Sequence, residues 1–185
     1  MSKFTFATSK EGFDNHIDKS IRGYSDLWGD ILSLSQYFVE DYTQVVDLGC
    51  SSGKLLKGMI EQNKKHIPHA QYTGIEIEAD FFGDYNNDED KYQMLNYFRG
   101  DVRDFDFENC SLVTSIFTLQ FMAPKNRQEI IQKVYDGLNT GGAFVFSEKT
   151  LSCNPRVQDM MTFCYYDYKR KNFSDKEILD KEVQL

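Results

Sequence analysis

The sequence predicts an α/β fold in which a mostly parallel sheet of five strands carries helices on its faces. One indication is that, from Gln44 onward, short β-branched runs alternate with segments whose apolar residues recur at helical spacing. A second is that the first predicted strand runs directly into a turn of small residues and then a helix. A third is size, because 185 residues with 41% hydrophobic and 15% aromatic side chains can bury one real core.

The predicted elements follow from these patterns in chain order. Runs of β-branched residues predict strands over residues 44–48, 71–77, 97–100, 112–118 and 143–147. Apolar residues at helical spacing predict helices over residues 24–39, 54–63, 125–138, 154–170 and 174–183. The helix over 24–39 is amphipathic, and we expect it to cover the open side of a pocket.

The remaining segments are predicted as turns and loops. Residues 139–142 (NTGG) are expected to end one helix and start the fifth strand. Residues 80–92 are dense in aspartate and asparagine, which predicts a solvated loop rather than a cation site. Residues 1–20 are polar and are expected to be loosely ordered.

Charge and composition exclude several classes of protein. With 21 basic and 29 acidic residues the net charge is -8, so the overall field repels phosphate backbones. Nucleic-acid binding would depend on a local basic patch, for which residues 64–65 and 169–171 are the compact basic runs. The longest apolar runs are only a few residues, which excludes a membrane-spanning helix. Four cysteines without CxxC pairing, and no secretory signal, predict a cytoplasmic protein with reduced thiols.

The first predicted strand and the turn after it form the candidate ligand site. Residues 45–53 (VVDLGCSSG) are a strand that enters a small-residue turn, where the backbone can approach a ligand closely. Glu76 lies near the end of the second predicted strand, where an acidic group accepts hydrogen bonds from a ribose diol in doubly wound sheets. Asp101, after the third strand, adds a polar group at the same edge of the sheet.

Other chemistries fit this turn less well. Residues 49–53 match the G-x-S-x-G nucleophile elbow of α/β hydrolases, but no histidine follows the fourth strand, where a triad histidine belongs. The dinucleotide pattern G-x-G-x-x-G fails because position 51 is serine. Cys50 is expected to pack beneath the turn, since the sequence indicates no base to activate it. His66 and His69 lack a third ligand nearby, so no metal site is predicted.

Several motifs resemble known families. The turn over residues 47–53 (DLGCSSG), with Glu76 and Asp101, resembles the S-adenosylmethionine site of class I methyltransferases. More narrowly, residues 22–25 (RGYS), 117–121 (FTLQF), 137–143 (GLNTGGA), 147–149 (SEK) and 167–170 (DYKR) resemble the carboxy-S-adenosylmethionine synthases of bacterial tRNA wobble-uridine modification. The similarity runs from about Phe13 to Ile178, which is most of the chain.

The resemblance implies a Rossmann-like class I methyltransferase sheet that binds S-adenosylmethionine or its carboxylated form. It implies that Gly49 and Ser51 approach the methionine portion and that Glu76 holds the ribose. It also implies that residues 101–102 contact the adenine and that Tyr24 lies over the sulfonium end. The implied cofactor-binding residues are Tyr24, Asp47, Gly49, Cys50, Ser51, Gly53, Glu76, Ile77, Asp101, Val102, Ile116 and Phe117. We expect one domain overall, with an N-terminal segment and capping helix (1–41), a cofactor-binding α/β core (42–150) and C-terminal helices (151–185).

Two positions and the end of the sequence depart from the resemblance. The family carries asparagine where this chain has Ile116, and it carries an arginine that holds the extra carboxylate where this chain has Glu182. A carboxylate in place of a guanidinium would repel that group rather than pair with it. The C-terminal hairpin of a full class I sheet is missing, so the strand over 143–147 is expected to be an edge that a second copy, a partner protein or the terminal helices cover.

The sequence leaves three functions open. The first is an S-adenosylmethionine-binding transferase of the methyltransferase class that acts on an unnamed acceptor, with no catalytic residue identified. The second is the reaction implied by the resemblance, which forms carboxy-S-adenosylmethionine from S-adenosylmethionine and prephenate. The third is a cofactor-binding or assembly subunit without turnover.

Overall fold

The computed structural model describes residues 13–184. Its helices are α1 (Phe13–Ser20), α2 (Tyr24–Phe38), α3 (Lys54–Asn63), α4 (Tyr85–Lys91), α5 (Pro124–Gly137), α6 (Pro155–Lys169) and α7 (Asp175–Gln184). Its strands are β1 (Gln44–Leu48), β2 (Gln71–Glu76), β3 (Leu95–Arg99), β4 (Cys110–Ile116) and β5 (Leu138–Ser147). Short 3-10 helices cover Ala79–Asp84, Val102–Asp104 and Leu119–Phe121. The chain forms two compact units: a core unit, Trp28–Lys149, and a terminal unit made of the described residues up to Leu27 and from Thr150 onward.

The core unit contains a five-stranded sheet in the order β3-β2-β1-β4-β5, in which every neighbouring pair is parallel. This confirms the predicted α/β class. The chain builds outward from β1 to β3, and it then returns to the other side of β1 with β4. The strand order therefore reverses between β1 and β4, and parallel sheets bind ligands beyond the carboxyl ends of the strands at such a point.

Successive side chains of β1 point to opposite faces of the sheet, so each face packs against a different part of the protein. Val46 and Leu48 are fully buried in a cluster with Ile130 and Val134, so α5 covers this face. Asp47 points to the opposite face, because it lies between Val46 and Leu48 in the strand. The predicted helices over 24–39, 54–63 and 125–138 agree with α2, α3 and α5 to within one residue at each end.

The three later strands correct the predicted boundaries. β3 begins two residues earlier than predicted, at Leu95. β4 ends at Ile116 because Phe117 adopts a left-handed backbone conformation, with φ 56°, that breaks the extended chain. β5 begins at Leu138, and the predicted turn over 139–142 is instead an irregular part of this strand: Leu138 pairs with Cys110 before the register shifts.

The prediction of a solvated loop over residues 80–92 is wrong. The segment forms the 3-10 helix Ala79–Asp84 followed by α4. Its anchor is Tyr85, a fully buried side chain whose ring stacks on Tyr97 at a centroid distance of 3.6 Å and an interplanar angle of 5°. Two of its acidic residues form ion pairs: Asp88 pairs with Lys57 at 2.8 Å, and Glu89 pairs with Arg99 at 2.9 Å.

The terminal unit is helical. The Tyr168 hydroxyl of α6 donates to the Asp18 carbonyl at 3.2 Å, and the Asn172 side chain donates to the Lys19 carbonyl at 3.1 Å, so α6 and the turn after it pack against α1. The expectation of loose order is wrong for residues 13–20, which form α1, while residues 1–12 lie outside the described residues. The predicted helices over 154–170 and 174–183 correspond to α6 and α7. Across residues 13–184, no helix has the length and apolar character needed to span a bilayer.

Candidate functional site

Three left-handed residues shape the turn that follows β1. Gly49 has φ 69°, Ser51 φ 48° and Gly53 φ 67°, a conformation that glycine adopts at little cost and serine does not. A Cβ at Gly49 would lie 2.6 Å from the Thr118 methyl carbon, and a Cβ at Gly53 would lie 2.8 Å from Cζ of Tyr97. The sequence suggested that small residues here let a ligand approach. The structure shows that the space beside these two glycines is occupied by protein side chains.

Backbone hydrogen bonds tie this turn to the end of β2. The N–H groups of Gly49 and Cys50 both donate to the Ile75 carbonyl, at 2.8 and 3.0 Å. The Ser51 N–H donates to Oε2 of Glu76 at 2.9 Å. The turn after β1 and the carboxylate at the end of β2 therefore form one connected edge of the sheet.

Glu76 is the buried anion at this edge. Its Oε1 accepts hydrogen bonds from the N–H groups of Ile77 and Glu78, both at 2.9 Å, and its side chain is only 6% exposed. Burial raises the pKa of Glu76, while the backbone N–H groups of Glu78, Ser51 and Ile77 partly oppose that rise. The carboxylate is held in one orientation, toward the turn after β1.

Asp47 places a second carboxyl group near the first. It is 4% exposed and accepts a 2.7 Å hydrogen bond from the Thr114 hydroxyl of β4. Burial raises the pKa of Asp47 to about 7; the Thr114 hydrogen bond lowers it, and the nearby Glu76 charge raises it further. At neutral pH the site thus holds a carboxyl group close to its midpoint of titration.

The Asp47 titration predicts a pH dependence of stability. An acid whose pKa rises on folding stabilises the folded state fully below its unfolded pKa, and this contribution is lost as pH rises through the folded pKa. Asp47→Asn keeps an acceptor for Thr114 but does not titrate. We therefore expect the free energy of unfolding of this variant, relative to that of wild type, to rise by about 3 to 4 kcal/mol as the pH increases from 4 to 8. Urea unfolding across this range measures the difference, and parallel pH curves for the two proteins would contradict it.

Cys50 is buried behind the turn, as its expected packing role requires. Its Sγ lies 3.6 Å from the Tyr85 hydroxyl, which donates to the Ser51 carbonyl. Burial raises the pKa of Cys50 well above its ordinary value, and the Asp47 charge adds to the rise. The thiolate that nucleophilic catalysis needs is therefore disfavoured.

At the end of β3, Asp101 is paired within its own loop. Its carboxylate accepts from the Arg103 side chain at 3.0 and 2.7 Å and from the Arg103 backbone N–H at 2.9 Å. These hydrogen bonds with Arg103 lower the pKa of Asp101. The adjacent Val102 is buried and begins a 3-10 helix, so its position is set by packing.

At the end of β4, Ile116 is half-buried and Phe117 turns the chain. Thr118 follows, and its hydroxyl donates to the Leu48 carbonyl at 2.9 Å. The sheet thus brings 11 of the 12 predicted site residues into the core unit, at or beside the carboxyl ends of the first four strands. Tyr24 belongs to the terminal unit, where it begins α2, and its role stays a prediction.

Ile77 is exposed, with 61% of its surface accessible, while its backbone N–H donates to Oε1 of Glu76. Sequence reasoning missed four side chains that shape the site: Tyr85, Tyr97, Thr118 and Glu148. Thr118 and Glu148 lie in the FTLQF and SEK motifs, which carried the resemblance to the family but indicated no role for these two residues. The described residues contain no cluster of three or more His, Cys, Asp or Glu side chains able to hold a metal ion.

Comparison with known proteins identifies the family to which the chain belongs. Residues 45–142, more than half of the chain, match the family model described as a methyltransferase domain. Two solved structures share the fold: an amino pentose methyltransferase from Micromonospora echinaspora (TM-score 0.55, 17% identity, 75% of this chain and 56% of that one) and an N-methyltransferase from Bradyrhizobium japonicum (TM-score 0.54, 18% identity, 66% and 60%).

Curated relatives are closer in sequence. A carboxy-S-adenosyl-L-methionine synthase from Staphylococcus epidermidis is 36% identical over 174 residues, which cover 94% of this chain and 75% of the relative. The enzyme of the same name from Klebsiella pneumoniae subsp. pneumoniae is 37% identical over 179 residues, covering 95% of this chain and 72% of the relative. The chain carries a methyltransferase domain and belongs to the carboxy-S-adenosyl-L-methionine synthase family.

Proposed function

We propose that this protein binds S-adenosylmethionine at the carboxyl ends of β1 to β4 and acts as an S-adenosylmethionine-dependent transferase. The observation that carries the proposal is the Glu76 carboxylate, which is buried at the end of β2 and oriented by three backbone N–H groups. A carboxylate held in this way is a strong acceptor for the two hydroxyl groups of a ribose.

The resemblance, together with the order of the strands, supports one orientation of the ligand. With the sugar on Glu76 at β2, the base extends toward residues 101–102 at β3, and the amino-acid portion extends toward the turn after β1 and the end of β4. The base amine must share the Asp101 carboxylate with Arg103 or displace it. The carboxyl groups of Asp47 and Glu76 suit a ligand that carries a positive sulfonium and an ammonium group.

Bound S-adenosylmethionine supplies a methyl group on a positively charged sulfur, which is already activated for transfer. The protein then has to bind, orient and shield rather than supply an acid or a base. Glu76 would hold the ribose of the ligand. An ammonium group of the ligand near Asp47 would stabilise the ionised form of the Asp47 carboxyl group. A ligand ammonium at Asp47 would therefore release a proton as it binds.

Isothermal titration tests the proposal directly. S-adenosylmethionine and S-adenosylhomocysteine are titrated into the purified protein at pH 7 in two buffers of different ionisation enthalpy. We expect saturable binding of both ligands, with a proton release that Asp47→Asn removes. Absence of binding by wild-type protein that is folded by circular dichroism would refute the proposal.

A second candidate function is the formation of carboxy-S-adenosylmethionine from S-adenosylmethionine and prephenate, the reaction implied by the resemblance. The names of the relatives favour it. Against it stand Ile116 and Glu182, where the resemblance implies asparagine and arginine. At position 182 the resemblance implies a guanidinium that would pair with the extra carboxylate, and a glutamate cannot make that pair. Incubation with both substrates and mass analysis of the nucleoside product separates the two functions, because only the second yields a carboxylated sulfonium.

The setting of the reaction is part of the proposal. We place the protein in the cytoplasm and in tRNA wobble-uridine modification, as the resemblance implies.

We also propose that a second copy covers the exposed edge of β5, an edge strand on which Phe146 is 59% exposed. Native mass spectrometry tests this, since a monomer at micromolar concentration would contradict it.

A further inference from the structure

Glu148, the residue after β5, binds three consecutive backbone N–H groups. Its Oε1 accepts from Thr118 at 3.1 Å and from Leu119 at 2.8 Å, and its Oε2 accepts from Gln120 at 3.0 Å. These residues open the 3-10 helix Leu119–Phe121, whose first N–H groups have no partner within that helix. The Glu148 carboxylate therefore accepts hydrogen bonds from the first three backbone N–H groups of this segment, which follows β4.

The residues on either side of Glu148 hold the same segment. The Phe117 N–H donates to the Ser147 carbonyl at 2.8 Å, and the Lys149 N–H donates to Oε1 of Gln120 at 3.1 Å. Phe117 itself has φ 56°, a conformation that costs a bulky residue free energy and persists only where its surroundings enforce it. Three consecutive residues at the end of β5 supply that constraint.

The constrained segment reaches the proposed ligand site through Thr118. The Thr118 hydroxyl donates to the Leu48 carbonyl, and its methyl carbon lies 2.6 Å from where a Gly49 Cβ would stand. Thr118 thus sets how the turn after β1 packs against the end of β4. Because the amino-acid portion of the ligand would lie between these two strand ends, an error in this contact would act on that portion directly and on the nucleoside portion only through the Ser51–Glu76 hydrogen bond.

We infer that Glu148 is a positioning residue for the amino-acid end of the site: it fixes residues 117–120 so that Thr118 packs against Gly49. This inference rests on the proposed function. A purely structural role would also use these hydrogen bonds, but its loss would weaken every ligand of the site alike.

The test compares two ligands on matched variants. In the proposed geometry adenosine would span only the ends of β2 and β3, whereas S-adenosylhomocysteine would also reach the ends of β1 and β4. Glu148→Gln keeps the size of the side chain but sets an amide N–H₂ against one of the three N–H donors. We expect it to weaken S-adenosylhomocysteine by roughly tenfold and adenosine by less than about twofold. Glu40→Gln, an exposed carboxylate before β1, is the control and is expected to change neither.

A second variant covers the case in which Glu148→Gln does not fold. Thr118→Ala retains Glu148 and removes the contact with Gly49, and it is expected to show the same selective loss. Equal losses for both ligands, or no loss, would overturn the inference while leaving the proposed function intact, provided that wild type binds S-adenosylhomocysteine. Wild-type protein that binds neither ligand would overturn both.

Discussion

Replacing Glu76 by alanine is expected to weaken S-adenosylhomocysteine binding by about a hundredfold or more. Each hydrogen bond to a charged group contributes about 1.5 to 3 kcal/mol, and a ribose diol would make two with this carboxylate. The side chain also orders its own surroundings, because Ser51, Ile77 and Glu78 all donate to it. Its removal therefore loosens the turn after β1 in addition to deleting the ligand contact.

Two further variants separate these effects. Glu76→Gln keeps the shape of the side chain but sets an N–H₂ group either against the Ser51 N–H or against the N–H groups of Ile77 and Glu78. We therefore expect its affinity for S-adenosylhomocysteine to lie between the affinities of wild type and Glu76→Ala. Asp80→Ala removes an exposed carboxylate four residues along and is the control, with no change expected. Titration calorimetry measures all four proteins. Wild-type affinity in Glu76→Ala would refute the proposed ligand geometry.

Gly53→Ala is expected to destabilise the protein by roughly 2 to 5 kcal/mol. The left-handed conformation, with φ 67°, accounts for about 1 to 2 kcal/mol of this loss. The rest comes from the new Cβ, which would lie 2.8 Å from Cζ of Tyr97 and force that ring away from Tyr85. Thermal unfolding should show a clear drop in Tm, together with loss of ligand binding.

Gly29→Ala is the matched control for this prediction. Gly29 lies within α2, is exposed and has no atom within 4 Å of its Cβ position. Alanine there is expected to stabilise the protein by about 0.5 to 1 kcal/mol, because glycine loses more backbone entropy in a helix. A similar Tm for the two variants would show that neither the backbone conformation nor the Tyr97 contact constrains Gly53.

Local pattern was sufficient for most of the sheet and its helices. The β-branched run over 44–48 became β1 without change, and the spacing of Leu55, Leu56, Met59 and Ile60 predicted α3 to the residue. Both signals come from neighbours within one or two turns of the chain, which is the range over which alternation and helical spacing act. Glu76 was predicted as a site residue from its place at the end of the second strand, where doubly wound sheets bind a ribose.

Local pattern failed where distant residues decide the outcome. The acidic composition of residues 80–92 predicts a loop, yet Tyr85 folds the segment by stacking on Tyr97, a residue on the next strand. The glycine-containing stretch 139–142 predicts a turn, yet its pairing with β4 draws it into β5 with a shifted register. In both cases tertiary contacts outweigh local propensity.

The sequence by itself determined the order of the five strands along the chain, the glycine turn after β1 and the acidic residue that ends β2. Only the tertiary structure decided that Tyr97 and Thr118 fill the space beside Gly53 and Gly49 and that Glu148 binds the segment after β4. The reason is physical. Conformational preference acts between near neighbours in the chain, whereas these contacts join strand ends that become adjacent only when the sheet assembles in the order β3-β2-β1-β4-β5.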